Sequence, residues 1–166
     1  MVTMGKRAPA FDCSAVVDYE VVELNWDQVH KRRALVLQFD SLENYSALPD
    51  DLVALSNSVG DFERLQANVA VVCRDHVFEI LEWTNRSVDE GGPGKIARFR
   101  DSEWAIIVDS DDRIASMYDM LNADGCSHWG HIIIDPVGRV LLRSGSFPCL
   151  PALSSSTRRT PSFVKM

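Results

Sequence analysis

Long apolar runs are missing from this 166-residue sequence, and a helix that crosses a bilayer needs about 20 consecutive apolar residues. No membrane span is predicted. The opening Met-Val-Thr-Met-Gly-Lys-Arg lacks the apolar stretch of a secretory signal, so a soluble, cytoplasmic chain is expected. Positive charge is scarce too: 17 lysines and arginines stand against 24 acidic residues, for a net charge of -7 and a pI near 5.0. Affinity for nucleic acid rests on neutralising phosphates, so neither nucleic acid nor an anionic membrane is an expected partner. Cysteine is sparse and dispersed. Cys13, Cys73, Cys126 and Cys149 make no C-x-x-C pair, which fits reduced thiols better than a disulfide scaffold.

Recognisable cofactor motifs are also wanting. Gly91, Gly92 and Gly94 have no following Lys-Ser/Thr and no strand directly before them, so they do not read as a phosphate loop. Cys126, His128 and His131 could each ligate zinc, yet no second ligand pair stands at a typical spacing. No metal and no cofactor is predicted. His30 and His76 sit beside charged residues and read as solvated surface positions.

What is present, 46% hydrophobic and 25% charged residues, is the mixture of one globular domain with a single core. The valine-rich stretch Phe11 to Leu24, broken by Asp18, reads as a short hairpin or two edge strands. Asn25 can cap a brief helix through Arg32. Ala34 to Phe39 and Val69 to Cys73 are continuous apolar runs, as strands covered on both faces require, and the first is expected at the centre of the sheet. Between them Pro49 can open a helix with Leu52, Leu55, Val59, Phe62 and Leu65 inward and Gly60 as a kink. Val77, Ile80, Leu81 and Thr84 mark the inward face of the next helix. A surface loop spans Ser87 to Glu103, Ala105 to Val108 is a strand, and Ser110 or Asp111 can cap a helix carrying Ile114, Met117 and Leu121. Gly130 to Ile134 and Val140 to Arg143 flank a turn and form a hairpin. Trp83, Trp104 and Trp129 read first as core anchors.

Several segments together resemble the peroxiredoxin family, also called the alkyl hydroperoxide reductase and thiol-specific antioxidant family, over roughly residues 5 to 150. They are the opening Gly5, Ala8, Pro9 and Phe11, then Phe39 through Leu52, Trp83, the turn Gly91-Gly92-Pro93-Gly94, Ile107 through Leu121, and Gly130 through Gly138. The resemblance implies an α/β, thioredoxin-like fold of the peroxiredoxin type, with a central mixed sheet, helices on both faces and an N-terminal hairpin. The domain would span 1–147, and the proline- and serine-rich 148–166 would form an irregular or partly disordered tail.

The family's chemistry uses a thiolate at a helix start, where backbone N–H groups lower its pKa. A threonine three positions earlier and a strand arginine orient the peroxide, and a proline shields the pocket. By the register of the resemblance, Leu48 stands at the cysteine position before Pro49, Tyr45 at the threonine, Ser41 at the proline and Trp129 at the arginine. No cysteine lies between Cys13 and Cys73, so a shifted register does not restore the nucleophile. Leucine has no lone pair to attack peroxide, and tryptophan offers one neutral donor where a cation is needed.

A peroxiredoxin-like pseudoenzyme serving as a protein-interaction or structural subunit is therefore the leading expectation. The alternative is a thiol-dependent redox protein using Cys149 or Cys126. A third reading has Tyr45, Leu48 and Trp129 converge on a small apolar ligand. The resemblance also implies a homodimer or a place in a larger assembly, through Val140 to Gly145 or through Asn44 to Ala47. Cys73 and Cys13, within apolar strands, read as buried core residues.

Overall fold

A computed structural model of the chain describes residues 2–40, 58–90, 105–121 and 130–145, apart from the side chains of Val59 and Val88. These residues form β1 (Asp12–Val17), β2 (Glu20–Asn25), α1 (Trp26–His30), β3 (Ala34–Asp40), α2 (Val59–Arg64), β4 (Ala67–Cys73), α3 (Val77–Asn85), β5 (Ala105–Val108), α4 (Arg113–Met117), β6 (Gly130–Ile134) and β7 (Val140–Ser144). The strands make one mixed sheet in the order β2-β1-β5-β4-β3-β6-β7. β3, β4 and β5 are parallel, while β1 and β6 join them antiparallel. The thioredoxin-like fold with helices on both faces is as the sequence implies. The expected central place of β3 is corrected: β4 holds the middle, because β5 and the β1–β2 hairpin all lie beyond it.

Side chains alternate across a strand, and both faces of this sheet are covered. Leu35, Leu37 and Phe39 of β3 with Ala70 and Val72 of β4 face one core, closed by Val29 of α1, Ile114 and Ala115 of α4, Tyr118 and Met120. Val69, Val71 and Cys73 face the other, under Ile80 and Trp83 of α3, with Phe62 of α2 packed at its border. Double coverage is why β3 and β4 are nearly continuous apolar runs.

The β1–β2 turn places Asp18 and Tyr19 at φ 49° and 66°, the left-handed pair whose twist matches a tight hairpin. Asn25 caps α1 as expected: its side chain accepts from the Gln28 N–H while the Gln28 side chain accepts from the Asn25 N–H. The helix stops at His30 rather than Arg32, since Lys31 and Arg32 take φ 50° and 53°. Leu65 is 74% exposed, not inward, because α2 ends at Arg64 and the chain turns through a left-handed Gln66. Gly60 lies within α2, and the predicted helical positions Pro49 to Leu55 lie outside the described residues. The α4 cap is neither Ser110 nor Asp111: the terminal residue is Asp112, and the buried carboxylate of Asp109 accepts from the N–H groups of Ile114 and Ala115 at 2.8 and 2.7 Å. The tail 148–166 lies outside the described residues.

Candidate functional site

Ser41, Tyr45, Leu48 and Trp129 lie outside the described residues, as do Cys126, Cys149 and Asn44 to Ala47. The strand ends that lead to them are described. β3 ends on Asp40, which pairs in register with Cys73 at the end of β4, and Phe39 pairs with Gly130 at the start of β6. The segment beginning at Ser41 and the segment ending at Trp129 therefore attach to neighbouring strands at one end of the sheet. In open α/β sheets, the carboxyl ends of parallel strands are where ligand sites form.

The frame around this end is tightly packed. A Cβ on Gly130 would come 2.2 Å from the Ser144 carbonyl oxygen and 2.7 Å from the Gly145 Cα, so only glycine lets β6 start against the end of β7. The Phe39 ring lies 6.1 Å from that of Tyr118, which meets Phe11 edge-on at 6.1 Å, and Phe11 meets Trp26 edge-on at 5.5 Å. The Tyr118 hydroxyl donates to the Pro9 carbonyl at 2.7 Å. Burial pushes this phenol well above its ordinary pKa, so it acts as a neutral donor. The opening motif Ala8-Pro9-Phe11 thereby holds the N-terminal segment against the core beside β3. On the other side, the Asp109 N–H donates to the Cys73 carbonyl at 2.8 Å, and Arg74 pairs with Asp112 at 3.0 Å.

Asp40, the first charged residue after the apolar run Ala34 to Phe39, is 3% exposed and belongs to β3. A buried carboxylate at a strand end is a chemical feature of this site. Its only signal in the sequence is an acid directly after an apolar strand, which also marks an ordinary solvated turn.

The two described thiols are core residues, as expected. Cys13 is 6% exposed and Cys73 1%. Burial, then the carboxylate of Glu23, pushes the Cys13 pKa up to about 11. Cys73 is raised further, first by burial and then by the hydrogen bond its thiol donates to Asp75 Oδ2 at 3.0 Å. A thiol that works as a nucleophile needs the opposite shift.

His30 corrects the sequence reading. It is buried, stacks on Trp26 at 5.1 Å, and its Nε2 lies 2.8 Å from the Asp135 carbonyl oxygen. A carbonyl only accepts, so Nε2 carries the proton. His76 is exposed, as is His131 on β6, while Cys126 and His128 lie outside the described residues. Among the described residues no group of three or more His, Cys, Asp or Glu is arranged to hold a metal. Trp83 is buried against β4, and Trp104 lies outside the described residues. No described helix is long and apolar enough to cross a membrane.

Comparison with known proteins agrees with this frame. The AhpC/TSA family matches residues 4–143. Peroxiredoxin-2 of Pongo abelii is 32% identical over 149 residues, covering 89% of this chain and 79% of that protein. Peroxiredoxin prdx-2 of Caenorhabditis elegans is 31% identical over 134 residues, covering 80% of this chain but only 63% of its own length. This chain thus spans less than two thirds of some of its relatives. Among solved structures, the reduced 2-Cys peroxiredoxin of Plasmodium vivax superposes with a TM-score of 0.75 at 24% identity, covering 86% of this chain and 85% of that one. The motifs, the sheet order and the extent of the match make this chain a member of the AhpC/TSA, or peroxiredoxin, family.

Proposed function

We propose that this chain is a peroxiredoxin-fold subunit that does not reduce peroxides and serves in protein association. The observation that carries the reading is the absence of any cysteine from residue 14 to residue 72, the stretch holding the family's nucleophile position. The neighbouring thiols cannot substitute. Cys13 and Cys73 point to opposite cores of the sheet, and both are held protonated by burial. By the register of the resemblance, Leu48 supplies no nucleophile and Trp129 no cation, and the phenol of Tyr45 replaces the family's threonine hydroxyl.

Association has a surface available. Among the described residues β7 is the edge strand of the sheet, with Leu141 and Leu142 56% and 41% exposed. A strand edge with unpaired backbone groups and apolar side chains is a template for a second strand, so Val140 to Gly145 is the proposed pairing edge of a homodimer. Purified protein mixed with hydrogen peroxide and either thioredoxin or dithiothreitol should consume no peroxide beyond the reductant blank. Turnover at rates ordinary for the family would overturn the reading.

A further inference from the structure

The net charge of -7 conceals a basic end. Three segments meet at the end of the sheet opposite Asp40 and Cys73: the N-terminal stretch 5–8, the exit of α1 at 31–33, and the β6–β7 turn at 135–139. The Val140 N–H donates to the Lys6 carbonyl at 2.9 Å, the Ala8 N–H donates to the Gly138 carbonyl at 2.8 Å, and Arg7 and Arg139 form an isolated antiparallel bridge. The His30 ring reaches the Asp135 carbonyl, and Leu35 pairs with Ile134, which brings Arg33 beside the same turn.

Lys6, Arg7, Lys31, Arg32, Arg33 and Arg139 are all exposed. The left-handed backbone of Lys31 and Arg32 makes the tight exit from α1 that sets three cations in consecutive exposed positions. Asp135 is the sole carboxylate of the three segments, and its Oδ1 is occupied by the N–H groups of Val137 and Arg139 at 3.0 and 2.7 Å. Among the described residues no carboxylate pairs with Lys6, Arg7, Arg32, Arg33 or Arg139. Two apolar side chains, Met4 directly before the first segment and Val137 within the turn, are 65% and 66% exposed.

We infer that this basic end docks an acidic segment of a partner protein, a reading that deepens the association role above and rests on it. Charge complementarity selects an anion, and arginine, the majority here, pairs with carboxylates through two parallel hydrogen bonds. The footprint must be small. Outside the patch the chain is more acidic than its net charge, so an extended duplex or a lipid plane reaching past the patch meets like charge. Met4 and Val137, exposed beside these cations in the chain, add apolar area of the kind a protein interface uses next to charged residues.

The test measures binding of the full chain to a fluorescein-labelled peptide of alternating Glu and Leu, beside a labelled single-stranded oligonucleotide and phosphatidylserine vesicles. Peptide binding that weakens with added salt is expected. Arg32→Gln with Arg33→Gln should weaken it about fivefold or more, and Lys6→Gln with Arg7→Gln, on another segment, should do likewise. Arg64→Gln with Arg86→Gln removes the same charge outside the patch and should change binding by less than about twofold. Equal losses from both kinds of variant, no binding by the unaltered chain, or tighter binding to oligonucleotide or vesicles would overturn the inference. Peroxide consumption by the same preparation reads the pseudoenzyme separately, so either can fail while the other stands.

Discussion

Cys13 offers a quantitative check on the claim that the described thiols are inert. Its pKa stands at about 11 against an ordinary 9.0. At neutral pH this leaves its thiolate about a hundredfold scarcer than that of a free thiol. A more basic thiolate is a better nucleophile, and the usual dependence returns about tenfold of that loss for a two-unit rise. Charge alone therefore makes Cys13 about tenfold slower to alkylate, and burial at 6% exposure slows it further. Timed alkylation with iodoacetamide, read by peptide mass spectrometry across pH 7 to 10, should give a rate that climbs throughout, with no plateau at the pH where a free thiol levels off. Glu23→Gln removes the second cause of the shift and should raise the rate at fixed pH. A raised pKa in the folded state contributes stability that is intact below the unfolded value and lost as pH rises through about 11. A plateau below pH 9, or labelling as fast as a free thiol, would refute this account of Cys13.

Gly130→Ala should lower stability by about 2 kcal/mol or more, because the new Cβ meets backbone rather than a flexible side chain; urea unfolding monitored by tryptophan fluorescence reads the loss. Asp109→Ala strands two helix N–H donors and should cost roughly 2 kcal/mol, the lost hydrogen bonds being partly offset by relief of a buried carboxylate whose pKa burial has raised; the same unfolding assay checks it. Replacing Leu141 and Leu142 together by lysine should convert a β7-paired dimer to monomer in sedimentation velocity, while an unchanged mass would remove that edge from the assembly.

Strands were the legible part of this fold, and contacts between distant segments were not. ALVLQF and VAVVC announce β3 and β4 because strands buried on both faces tolerate little else. Which of them lies at the centre depends on where β5 and the N-terminal hairpin add, and no local pattern encodes that. His30 was misread as solvated because its burial is decided by a carbonyl 105 residues away. The cap of α4 was misplaced because the capping carboxylate, Asp109, ends the preceding strand instead of beginning the helix. Leu65 kept helical spacing, but the chain leaves the helix one residue earlier. For the candidate site, the cysteine-free stretch from residue 14 to residue 72 is visible in sequence alone, since an absence needs no geometry. The buried Asp40 is the reverse case, an acid whose importance depends wholly on what packs around it.

The most direct test compares peroxide consumption by the unaltered chain with that of Leu48→Cys, both with thioredoxin and with dithiothreitol. The account predicts no turnover by the unaltered chain. It also predicts no family-like rate from the variant, because by the register of the resemblance Tyr45 still stands where the family has threonine and Trp129 where it has the arginine cation that orients peroxide. Peroxidase turnover by the unaltered chain, or near-family activity restored by Leu48→Cys alone, would contradict it.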